Sequence, residues 1–301
     1  DGARLLHAHV NCRDLPRARD FYAGALGLTP GAHTSTEQAQ DGAAFALDKA
    51  RWDAWILLGS RGYEGGAVDL LEWQEPRPTG APPVEVYACG FQRLGFRVPD
   101  LDAAIARMHD FGGGAWSAPV EHDANGHVIR IVMASDPDGT MLEVVEGDGT
   151  GLMFVSVVCA DLDRSLAFYA SLGFREVTRF GIEHDDAAHV HVAGAVAMDE
   201  VVLAAPGGGD VVVILVGFRT PAPVRRPARP ANAVGIWRAA FVLPDLDSAC
   251  AGLARLGIPT ISPPVEMAMG PGLPDLRFVC FAAPDGEVIE LIEQPAGATA
   301  P

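Results

Sequence analysis

The chain has 301 residues, of which 49% are hydrophobic and 20% are charged. This composition supplies enough apolar material for packed cores and excludes a disordered chain. Lysine and arginine total 22 against 39 aspartates and glutamates, which gives a formal net charge of −17. The acidity argues against nucleic acid and anionic membrane surfaces as partners, because both attract clustered positive charge. The length predicts two domains.

The cysteines and the apolar runs bear on the compartment. Five cysteines are odd in number and widely spaced, which is typical of reduced core thiols and not of a disulfide framework. The longest strong apolar run, 211–218, has the length of a strand and is too short to span a bilayer. The N-terminus lacks the pattern of a secretion signal. We therefore expect a cytoplasmic protein that has no membrane partner.

One short unit occurs four times along the chain. Each copy has an apolar run, an Asp-Leu pair, a helix-length stretch and then Gly, and the four pairs begin at Asp14, Asp100, Asp161 and Asp245. The first and third copies share Phe-Tyr within the helix, whereas the second and fourth share Pro-Asp-Leu-Asp at its start. The chain is thus a duplicated pair of modules, with odd modules resembling odd ones and even modules resembling even ones.

The local sequence of each module predicts its elements. The Asp of each Asp-Leu pair suits a helix N-cap, and the Gly beyond the apolar end suits a C-cap. Further along each module, alternating apolar runs predict about three strands. The sequences Asp136-Pro-Asp-Gly139 and Ala283-Pro-Asp-Gly286 predict tight hairpin turns. Each module therefore runs strand, helix and three strands, and the fold class is α+β.

The linkers set the expected domain boundaries. Pro-rich segments at 76–83 and 221–230 connect the modules within each pair, and a short Gly-rich segment at 146–151 separates the halves. We expect an N-terminal domain at 1–147, containing modules one and two, and a C-terminal domain at 151–295, containing modules three and four.

The repeated βαβββ module resembles a known family. Its Asp-Leu helix with Phe-Tyr and Leu-Gly-Phe, followed by an Asp-Pro-Asp-Gly hairpin that leads to a hydrophobic-Glu strand, is similar to the vicinal oxygen chelate superfamily, which includes glyoxalase I, extradiol dioxygenases and bleomycin-resistance proteins. The resemblance covers essentially the whole chain. It implies two incomplete-barrel, glyoxalase-like domains, in which paired modules enclose a cleft. In that family, metal ligands come from a His on the first strand and a Glu on the last strand of a module.

Those ligand positions can be read in every module of this chain. In order, modules one to four carry His7 with Asp69, Arg93 with Glu143, Phe154 with Val213, and Arg238 with Glu290. The C-terminal pair therefore offers one carboxylate and no His, too few ligands to hold a metal ion. This departure excludes the extradiol dioxygenase branch, which the resemblance implies would bind iron in that half.

The N-terminal pair leaves two interpretations open. His7, Asp69 and Glu143 form a one-His, two-carboxylate set, but Arg93 occupies the fourth ligand position and would repel a dication. In the favoured interpretation Arg93 replaces the metal and pairs with Glu143, and with Asp69, in a buried ion cluster. We therefore expect neither a metal nor another cofactor.

Further candidates for ligand contact follow from strand alternation. His9 and Asn11 share a face with His7, Trp73 shares one with Asp69, and Arg97 shares one with Arg93. Aromatic rings at a cleft offer stacking surfaces. The candidate ligand-binding residues are His9, Asn11, Trp55, Trp73, Arg97, Phe154, Arg238 and Glu290.

Two classes of function remain open at this stage. The first is metal-independent binding of a bulky, partly aromatic small molecule, in natural-product sequestration and antibiotic resistance or in an accessory role in its biosynthesis. The alternative is a lyase, isomerase or cyclase in which His7 acts as acid or base beside Asp69, Arg93 and Glu143. A metal-dependent glyoxalase-type enzyme is a third version. In each case we expect a small-molecule ligand and a monomer or homodimer.

Overall fold

The computed structural model describes residues 2–124, 127–185, 187 and 190–294, so residue 295, the expected end of the second domain, lies outside the described residues. Within the described residues, four α-helices, two short 3-10 helices and eighteen strands form a mixed α+β structure with two nine-stranded sheets. The expected α+β class is confirmed. No helix in the described ranges is long and apolar enough to cross a membrane.

The four helices are capped as the sequence predicts. In each, the side chain of the Asp before the first turn accepts a hydrogen bond from the backbone N–H three residues later, which satisfies one of the free amides of that turn. The capping residues are Asp14, Asp100, Asp161 and Asp245. The helices are α1 (Leu15–Gly24), α2 (Leu101–Asp110), α3 (Leu162–Ser171) and α4 (Leu246–Arg255).

The strands occur in module order. Module one contains β1 (Arg4–Asn11), β2 (Thr29–Ser35), β3 (Gln40–Asp41), β4 (Lys49–Leu58) and β5 (Ala67–Glu75). Module two contains β6 (Gly90–Val98), β7 (Gly114–Ala115), β8 (Val120–Ala124), β9 (His127–Ser135) and β10 (Met141–Glu146). Module three contains β11 (Gly151–Val158), β12 (Arg175–His184), β13 (Val196–Ala204) and β14 (Val212–Thr220). Module four contains β15 (Gly235–Leu243), β16 (Val265–Met267), β17 (Leu276–Ala282) and β18 (Val288–Glu293).

The modules share sheets in a different combination from the one expected for the clefts. Modules one and four form the first sheet, in which β1 pairs antiparallel with β15. Modules two and three form the second sheet, in which β6 pairs antiparallel with β11. The expectation that neighbouring modules combine to form each cleft is therefore wrong, because neighbouring modules of each pair lie in different sheets. The order of elements within each module still follows the repeat in the sequence.

Connection length explains this pairing. Only residues 147–150 separate β10 from β11, so module three continues directly beside module two. The segments 76–89 and 221–234 are longer and carry the chain from one sheet to the other. They also contact each other, because Thr79 N–H donates to Asn232 O at 2.9 Å and Cys89 N–H donates to Val224 O at 2.9 Å. Two long linkers that cross together thus bring module four back to module one.

The largest hydrophobic cluster joins both sheets and all four helices. A second cluster, which includes Phe45, Trp52 and Trp73, lies on the inner face of the first sheet. A third, which includes Phe154, Ile214 and Phe218, lies on the inner face of the second sheet. The inner faces are therefore where the two candidate sites are found.

Candidate functional site

A cavity of about 470 Å³ lies over the first sheet, between strands of modules one and four. Its size and its mostly apolar walls are typical of small-molecule sites. The walls include Phe45, Trp52, Ile56, Met269, Leu273 and Phe278. One group of buried polar side chains also lines it, namely His7, His9, Asp69, Arg238 and Glu290. We call these five residues the polar cluster.

Strand alternation and sheet register bring the polar cluster together. His7 and His9 point into the cavity from β1. Ala8 and Val10, which alternate with them along the strand, belong to the core that underlies the helices. His9 lies opposite Asp69 of β5 on one side and opposite Arg238 of β15 on the other. The central position of β1 in the sheet thus places its two histidines between the carboxylates of modules one and four.

The two histidines are in direct contact. The Nε2 atoms of His7 and His9 lie 2.7 Å apart, and the rings cross edge to face. His9 Nε2 also lies 3.1 Å from Glu290 Oε2, and His9 Nδ1 lies 2.9 Å from Asp69 Oδ2. Burial, followed by the charge of His9, lowers the pKa of His7 below its ordinary value, so His7 is neutral at pH 7. The pair can therefore hold a proton between two carboxylates.

Both carboxylates of the polar cluster are held in the ionised form. Burial acts to raise the pKa of Asp69, but the charge of His9 and its hydrogen bond outweigh burial and keep that pKa below its ordinary value. Burial likewise opposes ionisation of Glu290, yet the Arg238 guanidinium and the two histidines hold its pKa well below the usual range. The polar cluster therefore carries two negative charges close to its histidines.

The chain's own donor atoms fit a divalent cation. His7 Nε2, His9 Nε2 and a Glu290 carboxylate oxygen all lie within 4.8 Å of one another and all three residues are buried. Two imidazoles and one carboxylate are a common ligand set for catalytic zinc and for non-haem iron. Arg238 Nε donates to the same Glu290 carboxylate at 2.9 Å, as outer-shell groups do for ligating carboxylates. From the sequence no metal is expected beside His7, because Arg93 is assigned to the fourth ligand position. In the structure Arg93 lies on the other sheet, and Glu290 lies beside His7 instead.

Arg93 and Glu143 lie on the second sheet, apart from His7 and Asp69. Arg93 Nε donates to Glu143 at 2.8 Å, and Arg93 Nη2 donates to Glu200 of module three at 2.7 Å. The pairing of Arg93 with Glu143 follows the sequence analysis, but the four-residue site with His7 and Asp69 does not form. The second carboxylate that pairs with Arg93 is Glu200 and not Asp69, because module two shares its sheet with module three.

The Phe154 ring packs over Gly95, beside this ion cluster. Gly95 stands at the position that His9 has in module one, and a Cβ on Gly95 would lie 2.1 Å from the Phe154 ring. The guanidinium carbon of Arg93 lies 5.5 Å from the centre of the same ring. Phe154 is therefore a packing residue. Its partner in the last strand is also corrected, because the register that places Glu290 and Glu143 assigns this position to Ile214 and not to Val213.

Three further candidates have structural roles or lie elsewhere. Asn11 is fully buried and donates to the backbone carbonyls of Ala231 and Ala233 at 2.7 and 2.8 Å, and it accepts a hydrogen bond from Trp73 Nε1 at 3.0 Å. Asn11 and Trp73 thus fix the second long linker beneath the cavity. Trp55 stacks on His33 on the opposite face of β4.

One more candidate, Arg97, has an exposed side chain near Gly147 and does not line the cavity.

Most of the cavity wall is formed by residues that no sequence motif marks. Trp52 and Ile56 lie on the face of β4 opposite to Trp55. Strand alternation would have predicted their place in the cavity wall if the inward face of β4 had been known. Met269 and Leu273 belong to a loop of module four that carries no motif. This loop is fixed to module one, because Ser35 N–H donates to Met269 O at 3.0 Å and Gln40 exchanges two hydrogen bonds of 2.9 Å with the backbone of Ala268.

Comparisons with known proteins agree with this fold. The model of the glyoxalase/bleomycin resistance protein/dioxygenase superfamily matches residues 4–144 and 151–291. Glyoxalase I from Zea mays is 18% identical, with a TM-score of 0.68 over 97% of this chain and 92% of that enzyme. A candidate dioxygenase from Bacillus subtilis is 17% identical, with a TM-score of 0.61 over 99% of this chain and 87% of that protein.

At these identities the two structures are similar in fold alone. None of the curated proteins compared with the chain matches it in sequence. The family model, however, covers both halves and nearly all of the four repeated modules. The chain therefore belongs to the glyoxalase/bleomycin resistance protein/dioxygenase superfamily.

Proposed function

We propose that the protein is a lyase or isomerase that binds a small, mostly apolar molecule in the cavity of the first sheet and moves a proton with the His7–His9 pair. The observation that carries this proposal is the 2.7 Å contact of the two imidazoles, buried between two ionised carboxylates at an apolar cavity. A protein that only sequesters its ligand has no need for such a pair. A cytoplasmic location is part of the proposal and is supported by five cysteines that are all free.

The proposed step is removal of a proton from a carbon next to a carbonyl group. The C–H bond breaks, the proton passes to the His7–His9 pair, and the electron pair moves to the carbonyl oxygen as an enolate. Asp69 and Glu290 stabilise the protonated pair because each has an oxygen within 3.1 Å of a His9 ring nitrogen. Return of the proton to another carbon gives an isomerase, and departure of a neighbouring leaving group with its electron pair gives a lyase.

The apolar walls contribute to this chemistry. Trp52, Ile56 and Phe278 exclude water from the space around the histidines, which strengthens the charge interactions within the cavity. They also select a ligand with a flat or bulky apolar body, in line with the partly aromatic molecule expected from the sequence. Natural-product biosynthesis remains within the proposal as the setting in which such a molecule would be met.

A metal-dependent enzyme of the glyoxalase type is the second candidate. The convergence of His7, His9 and Glu290 favours it, and these three residues would hold the ion. A bound divalent cation acts as a Lewis acid that polarises a substrate oxygen. The two candidates use the same Nε2 atoms, so a cation at this site removes the histidines from proton transfer. Asp69 would then orient His9 through its Nδ1 contact.

The elimination of 5-nitrobenzisoxazole tests the proton-transfer proposal. A base removes the proton on the ring carbon, the N–O bond breaks, and a coloured phenolate forms, so any base within an apolar cavity is detected without knowledge of the natural substrate. The metal-depleted protein should show saturable turnover that His7→Gln and His9→Gln each reduce by about a hundredfold, within the range of a lost general base. His33→Gln is the matched control, because His33 also contacts a carboxylate, Asp53, but lies outside the cavity.

The control makes the outcome decisive. Turnover retained in His33→Gln and lost in the two cavity variants supports the proposal. Turnover that is equal in the wild type, His7→Gln and His9→Gln would show that the pair is not the base, and the proposed function would fail.

A further inference from the structure

Arg4 lines the cavity but has no part in the proton-transfer step. It is half-buried at the start of β1, and Val242, its pairing partner on β15, lines the same cavity. Arg4 Nη1 donates to the backbone oxygen of Tyr63 at 3.3 Å. The other arginine of the cavity, Arg238, forms an ion pair with Glu290, whereas Arg4 has no carboxylate partner among the described residues.

A β-bulge places Arg4 on the cavity face of β1. In the pairing of β1 with β15, Leu6 is an extra residue between Leu5 and His7. In a regular strand, alternation would give Leu5 the same face as His7 and would turn Arg4 away from it. Because of the bulge, Leu5 packs in the core under the helices, and Arg4 shares the cavity face with His7.

The module does not need an arginine at this position. Arg4 lies ten residues before the Asp that caps α1, and the other three modules have glycine at the same distance from their caps, namely Gly90, Gly151 and Gly235. Module three forms the same bulge, because Met153 is the extra residue of β11 in its pairing with β6. The first strand and its bulge therefore form without this side chain, so the arginine is a feature of the cavity and not of the fold.

The Arg4 guanidinium has donors left for a ligand. Its Nε and Nη2 atoms have no hydrogen-bond partner in the part of the chain that the structure describes, since the one bond of this side chain runs from Nη1. These two nitrogens share an edge of the planar group and can donate two parallel hydrogen bonds to a carboxylate. A ligand that fills the cavity displaces water from the cation and must therefore supply an acceptor in its place.

The position of Arg4 along β1 sets the distance between such a carboxylate and the reacting carbon. Arg4 lies three strand positions before His7, which corresponds to about 10 Å. The walls of the cavity are mostly apolar. A fitting ligand thus has an apolar body, with the reacting C–H bond at one end and the carboxylate at the other.

We propose that Arg4 binds a carboxylate group of the substrate, and that the site selects apolar molecules that carry this group about 10 Å from the reacting carbon. This inference rests on the proposed function and names its substrate class. Arg4 is therefore a binding and specificity residue, and the transferred proton does not pass through it.

Two naphthalene probes of the same shape test this inference by calorimetric titration of the metal-depleted full chain at pH 7.5. The first, 3-(2-naphthyl)propanoate, carries the carboxylate, and the second, 3-(2-naphthyl)propanamide, is its neutral isostere. We expect the propanoate to bind about tenfold or more tightly than the propanamide, because charge-assisted, bidentate hydrogen bonds are stronger than neutral ones.

Removal of the Arg4 charge should abolish this difference. Arg4→Met and Arg4→Gln should each bring the ratio of propanoate to propanamide affinity to about one and leave the affinity for the propanamide unchanged. Two neutral substitutions keep the test available if one of them prevents folding. Arg51→Met is the matched control and should keep the wild-type ratio, because Arg51 is also a half-buried strand arginine of the first sheet but does not line the cavity.

The possible results separate the two proposals. Equal affinity for the two probes in the wild type, a ratio that survives both Arg4 variants, or loss of the ratio in Arg51→Met would overturn the role of Arg4. If the propanamide binds and the elimination assay succeeds, the proposed function stands in spite of that failure. If neither probe binds, the role of Arg4 is overturned, and the elimination assay alone decides the proposed function.

Discussion

The Nε2 atoms of His7 and His9 lie 2.7 Å apart at the floor of the cavity, although the two residues are separated by a single alanine. Strand alternation places both rings on one face, and Asp69 and Glu290 flank them from the neighbouring strands. One proton shared by this pair has carboxylates on both sides. The pair therefore behaves as a single buried base.

The pH dependence of elimination should report the lowered pKa of His7. Burial and the charge of His9 lower this pKa below 6.5, so the neutral, basic form of His7 persists to more acidic pH than in an exposed histidine. The rate constant for 5-nitrobenzisoxazole should be flat from pH 9 to about pH 6.5 and should fall only below that value. A profile that already falls by half near pH 7.5 would show that another group is the base.

Zinc should bind the cavity and inhibit proton transfer. Because His7, His9 and Glu290 offer three converging ligands, we expect about one Zn²⁺ per chain by equilibrium dialysis, and a loss of at least tenfold in that affinity in His9→Gln. His33→Gln should bind zinc as the wild type does. The bound ion occupies both Nε2 atoms, so elimination should stop and return after chelation. Activation by zinc would instead support the metal-dependent candidate.

Arg93 should matter for stability and not for turnover. Arg93→Met removes the cation that Glu143 and Glu200 share in a mostly buried site, and breaking such a cluster costs about 3–5 kcal/mol. Urea unfolding should show a loss of this size, while elimination by the folded variant stays within about twofold of the wild type. A large loss of turnover at full folding would place the second sheet in the mechanism.

Glu287 should make the protein less stable as pH rises. Burial raises its pKa from 4.5 to about 7, although Tyr169 donates a hydrogen bond to it at 3.0 Å. The folded state therefore binds this proton more tightly than the unfolded chain does. The resulting stability is complete below about pH 4.5 and is lost as pH rises through about 7, a change of about 3 kcal/mol.

Glu287→Gln should flatten this part of the stability profile between pH 5 and pH 8 in chemical unfolding. Glu266→Gln, at an exposed position, is the matched control and should leave the profile unchanged. An unaltered slope in Glu287→Gln would mean that other groups control the pH dependence.

The modules, the Asp caps and the strand faces can be predicted from the sequence, because local chemistry determines them. Alternation and motif position also mark each of His7, His9, Asp69, Arg238 and Glu290. That these five residues form one site cannot be predicted, because the choice of sheet partner depends on where the two long linkers cross. Asn11 shows the same limit, since its partners are linker carbonyls at Ala231 and Ala233 that no local pattern relates to β1.

If the cavity of the first sheet is the place of reaction, a side chain that fills it should abolish turnover. Ile56 lines the cavity, so Ile56→Trp places an indole in the ligand space, whereas Val84→Trp adds the same ring at a site that is 78% exposed. With both variants shown to be folded by their melting temperatures, we expect saturable elimination of 5-nitrobenzisoxazole to be lost in Ile56→Trp and kept in Val84→Trp. Wild-type turnover in Ile56→Trp would show that the reaction takes place outside this cavity.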